Sequence, residues 1–144
     1  MKTLTMHTMI AAAALVAAAG SASAQTYRAE IPVAFRVIGK QMTPGSYDVR
    51  VMNNGNGEKV YLYNRTANTS AALVSPVHSD APRKWRDLRA PKIALECAGS
   101  DCTLRRIWNG SDVFALEFPA PKAPTGTLVT QRTEVITLTM VRAH

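Results

Sequence analysis

Few side chains of this chain belong to types that make or break bonds. Beyond residue 24, histidine occurs only at His78 and His144, and cysteine only at Cys97 and Cys102. A Ser-His-Asp or Cys-His set needs an imidazole held beside its nucleophile. His78 falls in an irregular stretch, and His144 is the last residue. No Gly-x-Ser-x-Gly, His-Glu-x-x-His or phosphate-cradling glycine loop occurs. The chain has 10 acidic residues, but their spacing marks no pair for general acid and base work. Carboxylates such as Asp80, Asp87 and Glu117 are the ones a hydrolase of envelope polymers would draw on. The convergent constellation an active site demands is not legible. The expectation is a protein that is not an enzyme and carries no cofactor and no metal.

The two cysteines lie in Glu96-Cys97-Ala98-Gly99-Ser100-Asp101-Cys102. A redox pair is usually Cys-x-x-Cys, and a zinc site would need two further ligands. Gly99, Ser100 and Asp101 favour a turn. The reading is a structural disulfide, Cys97 to Cys102, joining facing residues of a hairpin in an oxidising compartment.

One segment has the composition of a binding surface. Arg83-Lys84-Trp85-Arg86-Asp87-Leu88-Arg89 holds four cations and a tryptophan within seven residues. Arg and Trp are enriched at binding hot spots, and loops carry function more often than strands. Arg83, Lys84, Trp85, Arg86 and Arg89 form the candidate patch, suited to an anionic glycan, a lipid headgroup or an acidic protein surface. The competing reading is that Trp85 and Leu88 pin the loop to the core while the cations face water. Core packing is also the reading for Trp108.

The elements that must position these residues are strands. From Arg28 to Val37 the odd positions Ile31, Val33, Phe35 and Val37 are apolar, the period of a half-buried strand. Pro32 cannot donate to a ladder and belongs at an edge or an unpaired side. Thr43-Pro44-Gly45-Ser46 is a turn. Tyr47, Val49 and Val51 continue the alternation. Asn53 to Gly57 carries two Asn-Gly steps, a hairpin signal. Further strands are expected over Val60–Tyr63, Ala71–Val77 (interrupted by Pro76), Ile93–Cys97, Cys102–Trp108, Val113–Phe118 and Thr133–Arg142. His78 to Pro91 is the least regular stretch. Residues 119–126 contain three prolines and read as a stiff loop. No helical periodicity stands out beyond residue 24. The fold class is all-β: a small antiparallel barrel or sandwich of about seven or eight short strands, leaning to a barrel. Strands of five to seven residues are too short for an outer-membrane barrel, which needs about 9–11.

The opening residues set the compartment. Lys2 precedes eleven uncharged residues, Met9 to Ala19, and Ala22-Ser23-Ala24 offers small side chains to signal peptidase. Eleven residues span only about 16 Å as a helix, against a hydrocarbon core of about 30 Å. The expected organisation is a signal peptide over 1–24 and a single β domain over 25–144. The mature protein is expected to be exported, periplasmic or extracellular, and not membrane-spanning after cleavage. The whole chain has 17 Lys plus Arg against 10 Asp plus Glu; losing Lys2 leaves 16 against 10, a charge of +6. A basic exported protein is drawn to anionic envelope components or a protein partner. Nucleic acid fits the charge but not the compartment.

Glu30-Ile31-Pro32-Val33-Ala34-Phe35-Arg36-Val37-Ile38-Gly39-Lys40, followed by Pro44-Gly45-Ser46-Tyr47-Asp48-Val49, resembles a recurring opening in a family of small exported bacterial β-rich proteins. Cys102-Thr103-Leu104-Arg105-Arg106-Ile107-Trp108 is similar to their later hairpin. The chain departs from that pattern at Val33, where an aromatic is usual, and at Thr43, where the usual leucine has its counterpart one place earlier in Met42. The resemblance implies export and a β fold, and it transfers no functional residue. The expected function is therefore a non-enzymatic exported β domain that binds or scaffolds at the cell envelope. A carrier with a small apolar ligand inside the barrel is the alternative.

Overall fold

The computed structural model describes residues 25–53, 58–74, 77–119 and 132–143. Residues 1–24, where a signal peptide is expected, the tip of the Asn-Gly loop, Ser75, Pro76, most of the proline-rich loop and His144 lie outside the described residues. In chain order the elements are Gln25–Ile31 (β1), Phe35–Val37 (β2), Lys40–Met42 (β3), Gly45–Asn53 (β4), Glu58–Asn64 (β5), Thr69–Val74 (β6) and Val77–Asp80 (β7). Then follow Arg83–Leu88 (α1), Lys92–Ala98 (β8), Asp101–Trp108 (β9), Phe114–Glu117 (β10), Thr133–Thr139 (β11) and Val141–Arg142 (β12).

Two sheets form. The first has the order β12-β1-β4-β5-β6, and the second runs β11-β8-β9-β10-β7. The β2–β3 hairpin joins the second sheet where β2 pairs parallel with β9, Arg36 facing Thr103. The sheets do not close into a barrel, so the architecture is a sandwich. Alternation builds its core. Tyr27, Ala29, Ile31, Tyr47, Val49, Val60 and Leu62 point inward from the first sheet; Phe35, Val37, Ile93, Leu95, Leu104 and Ile107 do so from the second. Burial of these apolar faces is the main force holding the two layers together.

The described residues hold twelve strands, more than the seven or eight expected: two long apolar alternations each change sheet, and the short strands β3 and β7 add two more. The stretch from Arg28 to Val37 is not one strand: β1 ends at Ile31, and the chain crosses to β2 at Phe35. Exposed Pro32 lies at the crossing, where no ladder needs its missing N–H. Likewise β11 lies in the second sheet and β12 in the first, with buried Met140 between them.

The hairpin of β8 and β9 has the expected register. Cys97 faces Cys102 and is disulfide-bonded to it. A bulge between Ala94 and Leu95 shifts the pairing, so that Leu95 faces Leu104 while Ala94 faces Arg106. The extra residue, Arg105, lies on the outer side. Its Nε donates to Glu96 Oε2 at 2.9 Å, a second nitrogen lies 3.5 Å from Glu117, and Nη1 donates to the Phe118 carbonyl.

Candidate functional site

His78 to Pro91, expected to be irregular, contains β7 and then the short helix α1. Pro82 precedes α1 with φ −52° and gives it no side-chain cap. Pro82's carbonyl accepts from the amides of Trp85 and Arg86 at 2.9 and 3.2 Å. Arg89 ends the helix in the left-handed region, φ 51°, and its N–H donates to the Trp85 carbonyl. A helix of six residues is far too short to persist alone in water.

Tertiary packing holds it. Trp85 is buried in a small second core on the outer face of the second sheet, with Ala81, Ala94, Trp108 and Ala115. Its ring lies 6.3 Å from that of Trp108, tilted by 35°. The three alanines leave room for two indoles. Trp108 Nε1 donates to the Asp112 carbonyl at 2.8 Å, and the Ala81 N–H donates to Val113 at 2.9 Å. The second bond ties the approach to α1 to the neighbouring turn, and the first holds the indole against which Trp85 packs.

This packing divides the expected patch. Trp85 is committed to the core, whereas Arg83, Lys84, Arg86 and Arg89 are exposed. None of the four forms an ion pair among the described residues. Leu88 does not pin the segment: it is 66% exposed and stands among the cations. The turn therefore presents positive charge on an anchored backbone, together with an apolar side chain.

The three carboxylates proposed for hydrolysis have separate settings. Glu117 is engaged by Arg105, Asp80 is exposed on β7, and Asp87 is exposed on α1. None of them lines either of the two cavities described here. One, of about 340 Å³, lies beside β1, β11 and β12, with Arg28, Leu138 and Val141 in its wall.

The other cavity escaped sequence reading altogether. It is a cleft of about 430 Å³ at one end of the sandwich, where the sheets part. Val51 and Glu58 come from the first sheet; His78, Ile107, Phe114 and Leu116 come from the second. Glu58 Oε2 and His78 Nε2 meet across the opening at 3.3 Å. Phe114 alternates in phase with buried Leu116 and Phe118 but is 56% exposed here. It lies past the end of the core. Its exposure depends on where the facing sheet stops, which no local pattern records.

Comparisons with protein-family models, curated proteins and solved structures give no match to this chain.

Proposed function

We propose that the protein is a non-enzymatic exported β domain that binds a phosphate-bearing anionic surface of the cell envelope through the turn Arg83–Arg89. The observation that carries this reading is the setting of the four cations. They are exposed, free of ion pairs among the described residues, and mounted on a helix fixed by buried Trp85. The anchored backbone leaves only side-chain freedom to be lost on binding. Exposed Leu88 adds an apolar contact suited to the acyl boundary beneath headgroups. The overall charge of +6 that remains without residues 1–24 favours the encounter. Export rests on the signal pattern of those residues.

The test is sedimentation of the mature protein with vesicles of anionic or neutral lipid. Binding to the anionic vesicles is expected to weaken as salt rises. The variant Arg83→Gln, Lys84→Gln, Arg86→Gln, Arg89→Gln should bind about a hundredfold or more weakly, since each cation near such a surface contributes about 1 kcal/mol. Equal binding by the variant, or indifference to lipid charge, would exclude the turn as the binding surface.

A further inference from the structure

We infer that the cleft between the sheet ends is a binding site for a small organic cation with an apolar body. This inference is independent of the basic turn. The floor is apolar, with Ile107 1% and Leu116 6% exposed, and Val51 lies alongside. Phe114 stands at the rim, its ring open to solvent on a strand that pairs with β7. An exposed phenyl beside a concave apolar wall offers a stacking face, and its π-electrons attract a cation.

The charge of the lining selects the sign of the ligand. The mature chain holds 16 Lys and Arg against 10 Asp and Glu. Yet among the described residues no Lys or Arg lines this cleft, while Glu58 and Asp112 do. The remaining titratable group in the lining is His78, 3.3 Å from Glu58 and with its ring 6.4 Å from that of Phe114. Asp112 Oδ2 accepts from Asn109 Nδ2 at 2.7 Å, which orients the carboxylate while its other oxygen makes no described hydrogen bond. An anionic ligand would meet two carboxylates and no Lys or Arg among the described lining, with the one imidazole already turned to Glu58. A neutral apolar ligand would take water from those carboxylates and offer them no charge in return. An ammonium on an aromatic or aliphatic body meets carboxylate, π-face and apolar floor together. The volume of about 430 Å³ falls within the range of small-molecule clefts.

The experiment titrates the mature, disulfide-bonded protein with three probes of one shape: phenethylamine, phenethyl alcohol and hydrocinnamate. Binding is followed by calorimetry and by amide shifts in two-dimensional NMR. Phenethylamine is expected to saturate and to move the amides of Phe114, Leu116 and Asp112. Its affinity should exceed that of either other probe by about tenfold, the worth of one charge-assisted contact. Phe114→Ala should weaken it about threefold or more through the lost ring face. Glu58→Gln and Asp112→Asn should erode the preference for the amine over the alcohol. The probe comparison uses the unaltered protein, so it stands even if a variant folds poorly. Hydrocinnamate or the alcohol binding as tightly as the amine would overturn the inference. So would the absence of saturable shifts at the cleft. The variant with four glutamines in the basic turn should bind phenethylamine normally, which separates this site from the anionic surface.

Discussion

Asn64 shows how one residue can organise two turns. It is fully buried at the end of β5, and its side chain is satisfied on both sides. Nδ2 donates to the Thr43 carbonyl, Thr43 Oγ1 and the Tyr47 hydroxyl at 3.2, 3.1 and 2.9 Å. Oδ1 accepts from the amides of Thr66 and Ala67 at 2.9 and 3.0 Å. The turn before β4 is thus bound to the turn after β5. Gly45 belongs to the same knot: a Cβ there would stand 2.8 Å from Asn64 Oδ1 and 3.0 Å from Thr66 Oγ1. The Pro44-Gly45-Ser46-Tyr47 step therefore has a structural use. Gly45 makes room for Asn64, and Tyr47 places its hydroxyl against it. Asn64→Ala would leave the Thr66 and Ala67 amides without their acceptor and take one donor each from the Thr43 carbonyl and the Tyr47 hydroxyl, which still bond to each other. The expected loss is about 2–4 kcal/mol, read as a lower urea midpoint. A loss under about 0.5 kcal/mol, the scale of an ordinary surface substitution, would show that water replaces the amide at no cost. Tyr47 and Gly45 are legible in the sequence as strand and turn residues. Asn64 is not, because its partners at Thr43 and Tyr47 are distant in the chain.

At the scale of elements, what could be read depended on whether the partner was local. The bridged hairpin was legible because Cys97, the Gly99-Ser100-Asp101 turn and Cys102 specify the pairing within a few residues. Helix α1 was not, since a six-residue segment with one buried side chain has no periodicity to detect. Its stabilising contact, Trp85 on Trp108, joins residues that only the fold brings together. This makes α1 sensitive to a single change. Trp85→Ala removes nearly all the burial that holds the helix and opens a void beside Trp108, with an expected loss of about 3 kcal/mol. Hydrogen exchange should show the amides of Arg86 and Arg89 losing protection while those of β8 and β9 retain it. All four cations remain in this variant, so weaker binding to anionic vesicles would follow from their lost arrangement rather than lost charge. Unchanged exchange in α1 would mean that the Pro82 and Arg89 backbone bonds suffice to hold it.

The whole molecule explains why strand number and barrel closure were misread while the alternation itself was correct. Ile31 and Phe35 both face the core although they belong to different sheets, because the inner faces of a sandwich look toward the same interior. A chain can therefore cross between layers and keep its period of two. The same holds for Ile136, Leu138 and Met140 on the way from β11 to β12. Hydrogen-bond partners change at these crossings, but hydrophobicity does not. The shared interior also gives the molecule a pH dependence. Tyr27 and Tyr47 project into it from β1 and β4, and burial raises both hydroxyl pKa values above 10.0. Hydrogen bonds to Asn64 and Thr43 oppose the rise at Tyr47, while the nearby Arg142 charge opposes it at Tyr27. The folded state holds these protons more tightly than the unfolded chain does. Their contribution is therefore fully present below pH 10 and is lost as pH climbs through the raised folded values. Urea midpoints should fall above pH 10, and Tyr27→Phe should flatten the fall, because it keeps the buried ring and removes one titrating hydroxyl. Tyr47→Phe should flatten it too, but from a lower starting stability, since Asn64 loses an acceptor. If both variants fall as steeply as the parent, alkaline unfolding starts elsewhere and the two buried hydroxyls do not control it.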